Sequence, residues 1–136
     1  THNRKNDPYV SLLDDIRVEL QESIDIALDK GVKRENIILD PGIGFAKSAD
    51  QNVEVIRFLD QLLPLDYPLL LGTSRKSVIG KVLDLPINQR DEGTAATTCY
   101  GITKGVDIVR VHNVEMNVRV AKMMDVMIGK GGSVNG

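Results

Sequence analysis

The chain has 136 residues, 42% of them hydrophobic, with 17 Lys and Arg against 19 Asp and Glu for a formal charge of -2. That is enough for one domain with a real core, too short for a typical barrel enzyme of about 250 residues, and without the basic block that nucleic-acid binding requires. A single cysteine, Cys99, excludes an internal disulfide, and no stretch approaches the ~20 apolar residues of a membrane span, so a soluble, cytoplasmic protein is expected.

Thr1 to Asp7 is polar, and with no leader and no initiating methionine the chain reads as starting partway through a larger protein. From Ser11 to Lys30 the apolar residues Leu13, Ile16, Leu20, Ile24, Ala27 and Leu28 recur at helical spacing. Ser11 and Asp14 are placed as a capping pair and Gly31 as the stop. Ile37, Ile38 and Leu39 form an apolar run without alternation, the pattern of a strand buried on both faces of a parallel sheet. After a glycine loop, Val55, Ile56, Leu59, Leu62 and Leu63 mark a second helix, ended by Pro64. Tyr67 to Leu71 reads as the second strand, followed by a short helix through Val78, Ile79 and Val82 and a loop from Asp84 to Asn88. Asn88 is placed to cap a helix through Ala95, Thr98, Cys99 and Ile102, with Cys99 on its buried face and Gly105 past its end. Asp107 to Val111 is the third strand, and Asn113 the cap of a last helix carrying Val114, Val118, Ala121, Met124 and Ile128. The domain is expected over residues 1–130, with a flexible tail at 131–136.

Strands alternating with helices mean right-handed crossovers and a parallel sheet, an α/β fold in which ligands bind beyond the carboxyl ends of the strands. Three polar clusters fall there. Asp40 is a lone carboxylate at the end of the first strand, where Pro41, Gly42 and Gly44 build a turn that admits close approach of a ligand. An Asp before Pro-Gly also serves as a turn anchor. Ser74-Arg75-Lys76-Ser77 sets two cations and two hydroxyls at a strand-to-helix turn, lacks the glycine pattern of a Walker loop, and leaves Arg75 available to hold a neighbouring loop. In Val109-Arg110-Val111-His112 the polar residues alternate, so Arg110 and His112 share one side of the strand and suit a phosphate or pyrophosphate. His2 has no partner motif nearby, and Asp107 reads as structurally paired.

The runs Leu39 to Lys47, Gly72 to Ser77 and Val109 to His112, in this order and joined by Glu92-Gly93-Thr94-Ala95-Ala96, resemble the carboxyl-terminal half of bacterial dihydropteroate synthase over nearly the whole chain. The resemblance implies the C-terminal part, about three βα units, of a (β/α)₈ TIM barrel. It implies a transferase of folate biosynthesis that joins p-aminobenzoate to 6-hydroxymethyl-7,8-dihydropterin pyrophosphate, is inhibited by sulfonamides, and is a homodimer when complete. Asp40 then matches the acid gripping the amino-pyrimidine edge of the pterin, and Lys76 the lysine beside the reacting methylene. Arg110 and His112 match the pair that binds the leaving pyrophosphate. Ser74 and Phe45 match residues bordering the p-aminobenzoate pocket, Gly72 a glycine that lets the pterin lie close, and Arg75 a position facing mobile loops. Mg²⁺ is implied on the pyrophosphate, with its ligand outside this chain. Three strands of eight imply a chain that is inactive alone, with open sheet edges. Two other readings compete: a pterin-binding methyltransferase that passes a methyl from methyltetrahydrofolate to a corrinoid protein, which needs no pyrophosphate site, and a non-catalytic assembly module.

Overall fold

A computed structural model describes residues 8–44 and 47–130, with side chains from residue 12 onward. The expectations for His2, Phe45 and the tail at 131–136, and for the side chain of Ser11, lie outside what is described.

In chain order the helices are α1 (Pro8–Asp29), α2 (Ala49–Arg57), α3 (Ser77–Leu83), α4 (Asp91–Thr103) and α5 (Val114–Met127), with strands β1 (Leu70–Leu71) and β2 (Ile108–Val109) between them. β1 and β2 are parallel, with Leu70 opposite Ile108 and Leu71 opposite Val109, and Leu39 joins the other edge of β1 through a single parallel bridge to Leu69. The ladder runs from Leu39 N–H to Pro68 O and Leu70 N–H to Leu39 O, both 2.8 Å, across to Ile108 N–H to Leu69 O and Arg110 N–H to Leu71 O, both 3.1 Å. The expected parallel α/β order is therefore present, with shorter strands than the apolar runs predict.

The shortening has a physical cause. Ile37 and Leu39 are buried against the helices, yet Ile38 between them is 52% exposed. Residues along a strand alternate faces, so one face of the first segment packs and the other is bare. The continuous apolar run therefore corrects to a strand covered on one side only, with no described neighbour on its outer edge. Along the same alternation Leu69 and Leu71 are almost wholly buried while Leu70 is half-buried.

The core lies between this small sheet and the helices, built from Leu13, Ile16 and Ile24 of α1, Val55 and Ile56 of α2, and Leu59, Leu62, Leu69, Leu71, Val78, Ile79 and Val106. α1 begins at Pro8, ahead of the expected Ser11–Asp14 cap, and Asp14 instead pairs with Arg17 one turn later. Its end is as predicted: Gly31 adopts φ +91°, and the next N–H, of Val32, returns to Ala27 O at 3.0 Å. α2 opens on a reciprocal capping box, Ser48 with Gln51, and stops at Arg57. A 3-10 helix then runs over Leu59–Leu65, so Pro64 sits inside that segment and ends nothing.

Asn88 does not cap α4. It lies in a 3-10 turn, Ile87–Gln89, and α4 starts three residues later with Asp91 and Glu92 in its first turn, where negative charge suits the helix dipole. The buried face of α4 is made of Thr94, Thr98, Gly101 and Ile102, which leaves Cys99 half-buried on its flank. α3 and α4 approach so closely that a Cβ on Gly93 would stand 2.3 Å from Ile79 Cγ2. Asn113 does cap α5, accepting from Met116 N–H at 3.1 Å. The apolar face expected of α5 is only partly packed: its buried residue is Asn117, while Val114 and Val118 are exposed. Thr98 Oγ1 donates to Asn117 Oδ1 at 2.8 Å, joining α5 to α4, while Asn117 Nδ2 donates back to Asn113 O at the start of α5 at 2.9 Å.

Candidate functional site

The residues that follow the three strand segments meet on one rim. Asp40 Oδ1 accepts from Gly42 N–H at 2.8 Å, the turn-anchoring bond, while Oδ2 faces Arg110 Nη2 at 3.9 Å. The turn-anchor and ligand-facing readings of Asp40 are thus compatible, because each carboxylate oxygen has lone pairs to spare. Gly42 and Gly44 take φ of +75° and +92°, a region closed to most side chains, so the turn depends on them.

Two lysines brace that turn. Lys47 Nζ donates to Gly42 O at 2.8 Å and to Pro41 O at 3.4 Å, and Lys76 Nζ donates to Ile43 O. Buried Asn52 of α2 adds a third support, its Oδ1 accepting from Gly44 N–H at 2.9 Å. Both lysines have their pKa lowered, mainly by burial, although Asp40 pulls each the other way and, for Lys47, Glu19 does so more strongly. For Lys76, nearby Arg110 and Lys47 lower it further. Asp40 therefore stands among Lys47, Lys76 and Arg110, an arrangement with surplus positive charge that suits an anion.

Gly72, Ser74, Lys76, Arg110, Val111 and His112 line a shallow cavity of about 180 Å³. A Cβ on Gly72 would fall 2.7 Å from Arg110 Nη2, so in this structure the missing side chain makes room for the guanidinium. Arg110 and His112 both reach this cavity, as strand alternation predicts. Asp107 is structurally paired, its Oδ2 accepting from Leu69 N–H at 3.1 Å.

Arg75 turns away from the cavity to α4. Its Nε and Nη2 donate to the two oxygens of Asp91 at 2.8 and 3.3 Å, a bidentate pair. The backbone of Arg75 is left-handed, φ +55°, and is held there by Thr94 Oγ1, which accepts its N–H at 3.1 Å, and by Arg90 Nη1, which donates to its carbonyl at 3.0 Å. Asp91 Oδ2 also accepts from Asn113 Nδ2 at 3.3 Å, so one carboxylate ties the loop after β1 to the loop after β2.

That double engagement makes Asp91 pH-sensitive. Its carboxyl is held below the ordinary range, first by the Arg75 hydrogen bond and then by the Asn113 amide. A folded pKa below the unfolded value of about 3.9 gives stability that is complete above that value and is lost as pH falls through the folded one. In thermal melts from about pH 7 down to about pH 2.5, D91N is expected to lose less Tm on acidification than the parent chain. Parallel pH profiles for the two would remove Asp91 from this role.

Lys47, Asn52, Asp91, Thr94 and Asn113 all position the rim, and no local pattern marks them for it. Lys47 and Thr94 stand inside quoted motifs, and Asp91 directly precedes one; Asn52 carries no sequence signal, since a buried amide on a helix looks like any surface asparagine. Among the described residues no group of three or more His, Cys, Asp or Glu is placed to hold a metal ion.

Residues 1–112 match the family described as pterin binding enzyme. The chain belongs to that family. It is 55% identical over 135 residues to a dihydropteroate synthase of Bacillus subtilis, covering 99% of this chain and 47% of the relative. Against a dihydropteroate synthase of Synechocystis it is 48% identical over 88% of this chain and 42% of the relative. The chain thus spans a little under half the length of these curated relatives. Among solved structures, the Clostridium difficile dihydropteroate synthase determined in the presence of pteroic acid superposes with a TM-score of 0.84 at 53% identity, over 85% of this chain and 44% of that one. The Yersinia pestis dihydropteroate synthase in a sulfonamide drug complex superposes with a TM-score of 0.85 at 32% identity, over 87% of this chain and 43% of that one. The fold is accordingly part of a TIM barrel, and the resemblance to dihydropteroate synthase holds across nearly the whole chain.

Proposed function

We propose that this chain supplies the pterin-pyrophosphate rim of a dihydropteroate synthase, which condenses p-aminobenzoate with 6-hydroxymethyl-7,8-dihydropterin pyrophosphate to give 7,8-dihydropteroate and pyrophosphate. The carrying observation is the meeting of Asp40, Lys76, Arg110 and His112 beyond the carboxyl ends of adjacent parallel strand segments. Relatives with this fold, one determined in the presence of pteroic acid and one in a sulfonamide drug complex, support it.

In this reading Asp40 accepts hydrogen bonds from the ring and exocyclic N–H groups of the pterin, and Lys76 lies beside the methylene. The methylene C–O bond breaks with its electron pair leaving on pyrophosphate, and the arylamine nitrogen then bonds to the carbon and gives up a proton. Arg110 and His112 stabilise the charge that collects on the departing oxygens, a task of preorganised donors and not of a covalent nucleophile. Ser74 borders the arylamine. Mg²⁺, when bound to pyrophosphate, neutralises part of its charge; no group in this chain is assigned to hold it. A homodimeric, cytoplasmic enzyme follows from the resemblance alone. Among the described residues no helix is long and apolar enough to cross a membrane.

The test fuses this chain to the portion of the Bacillus subtilis relative that lies outside the match. Release of pyrophosphate coupled to formation of dihydropteroate is expected. Methyl transfer from methyltetrahydrofolate to a corrinoid protein, with no condensation, would overturn the proposal in favour of the methyltransferase reading.

A further inference from the structure

We infer that Ser74 is a positioning residue for His112, fixing the tautomer in which the imidazole offers Nε2–H to an anion; the benefit to catalysis rests on the condensation proposed above. Ser74 Oγ lies 2.6 Å from His112 Nδ1 and also accepts the backbone N–H of His112 at 3.0 Å. A hydroxyl has one proton and two lone pairs. The backbone N–H can only donate, so it takes one lone pair. If a neutral ring carried its proton on Nδ1, that N–H would take the other lone pair, and the hydroxyl proton would lose both of its His112 partners and have to turn to solvent, which reaches the exposed His112. Donation from Oγ–H to Nδ1 satisfies all three groups and leaves the ring proton on Nε2. That nitrogen is then a donor, as an anion in the cavity shared with Arg110 and Lys76 requires.

The two loops that carry the pair are tied together one residue beyond it. Residues 75 and 113, each one step beyond the pair, are both bonded to Asp91, at 2.8 Å from Arg75 Nε and 3.3 Å from Asn113 Nδ2. The carboxylate thereby sets the spacing between the two loops, and Asn113 in turn caps α5. The serine at the arylamine border thus also serves the leaving-group side of the site, through the histidine.

Two measurements test this. The chain has only two histidines, so ¹⁵N-imidazole spectra of the full 136-residue chain are assignable from an H2Q control. At about pH 8 His112 is expected as the Nε2–H tautomer, S74A with a clearly larger share of the Nδ1–H form, and S74T as the parent. An Nδ1–H tautomer in the parent, or no change in S74A, would overturn the inference. In the completed barrel, calorimetry with inorganic pyrophosphate should show S74A binding about tenfold weaker, as for one lost good hydrogen bond. In an H112N background S74A should add less than about twofold, because coupling vanishes once the partner is gone; an undiminished effect there would overturn the inference. Failure of the condensation assay with the tautomers as expected would refute the proposed reaction and leave the positioning role standing.

Discussion

Arg110→Ala, made in the completed barrel, is expected to lower the rate of condensation by about 100-fold or more, the usual cost of removing one preorganised donor from developing negative charge. The structure explains why the loss should fall on chemistry. The Arg110 side chain is 61% exposed, and its nearest carboxylate, Asp40, is 3.9 Å away, too far for a tight pair. An exposed ion pair of this kind contributes about 1 kcal/mol at most, so Tm should barely move. Gly72 leaves the guanidinium its space, which would be idle if Arg110 only decorated a surface. R110K should recover part of the rate but not all, because an ammonium cannot make the planar two-point contact that a guanidinium makes with phosphate oxygens. A rate within about threefold of the parent for R110A, ~0.7 kcal/mol on the transition-state scale, would show that the leaving group is stabilised elsewhere.

The rim was legible in the sequence because a parallel sheet puts every strand's carboxyl end on the same side, so Asp40, Lys76, Arg110 and His112 had to converge once the alternation was read. The means of holding them there was much less legible. Asp91 acts through contacts 16 residues back to Arg75 and 22 forward to Asn113, and Asn52 through one 8 residues back to Gly44; no local periodicity encodes such pairings. The helix errors share another cause. Asn88 and Pro64 are good local punctuation, but 3-10 segments over Ile87–Gln89 and Leu59–Leu65 absorb both, and core residues Leu59 and Leu62 on the latter override the break that proline signals. The apolar runs of the strands and of α5 mark residues that need cover, yet Ile38, Val114 and Val118 stand exposed. That three strands of eight leave open edges was legible as well; which apolar side chains they leave bare was not.

That unmet need carries the second large expectation: the chain alone should show no measurable condensation, and should bind the pterin pyrophosphate at least about 100-fold more weakly than the completed barrel, a loss of ~2.7 kcal/mol. Val109, Val111, Val114, Val118 and Ala121, together with Arg110 and Asn117, line a largely apolar groove beside β2, and Ile38 is bare on the opposite edge of the sheet. In a closed barrel both edges would be paired, and the inner face that carries Arg110 would be enclosed. Here the pocket that gathers Arg110, Lys76 and His112 is shallow and open, so charges that must act in a low-dielectric enclosure remain screened by water. Completing the barrel should therefore raise affinity and rate together, and raise Tm while Val114 and Val118 become protected from solvent. Calorimetry with the pterin substrate, on the isolated chain and on the fusion, measures the difference directly. Equal affinities would mean that this rim is a self-sufficient binding module, and would transfer the weight of the argument from the enclosure of the barrel to the four side chains themselves.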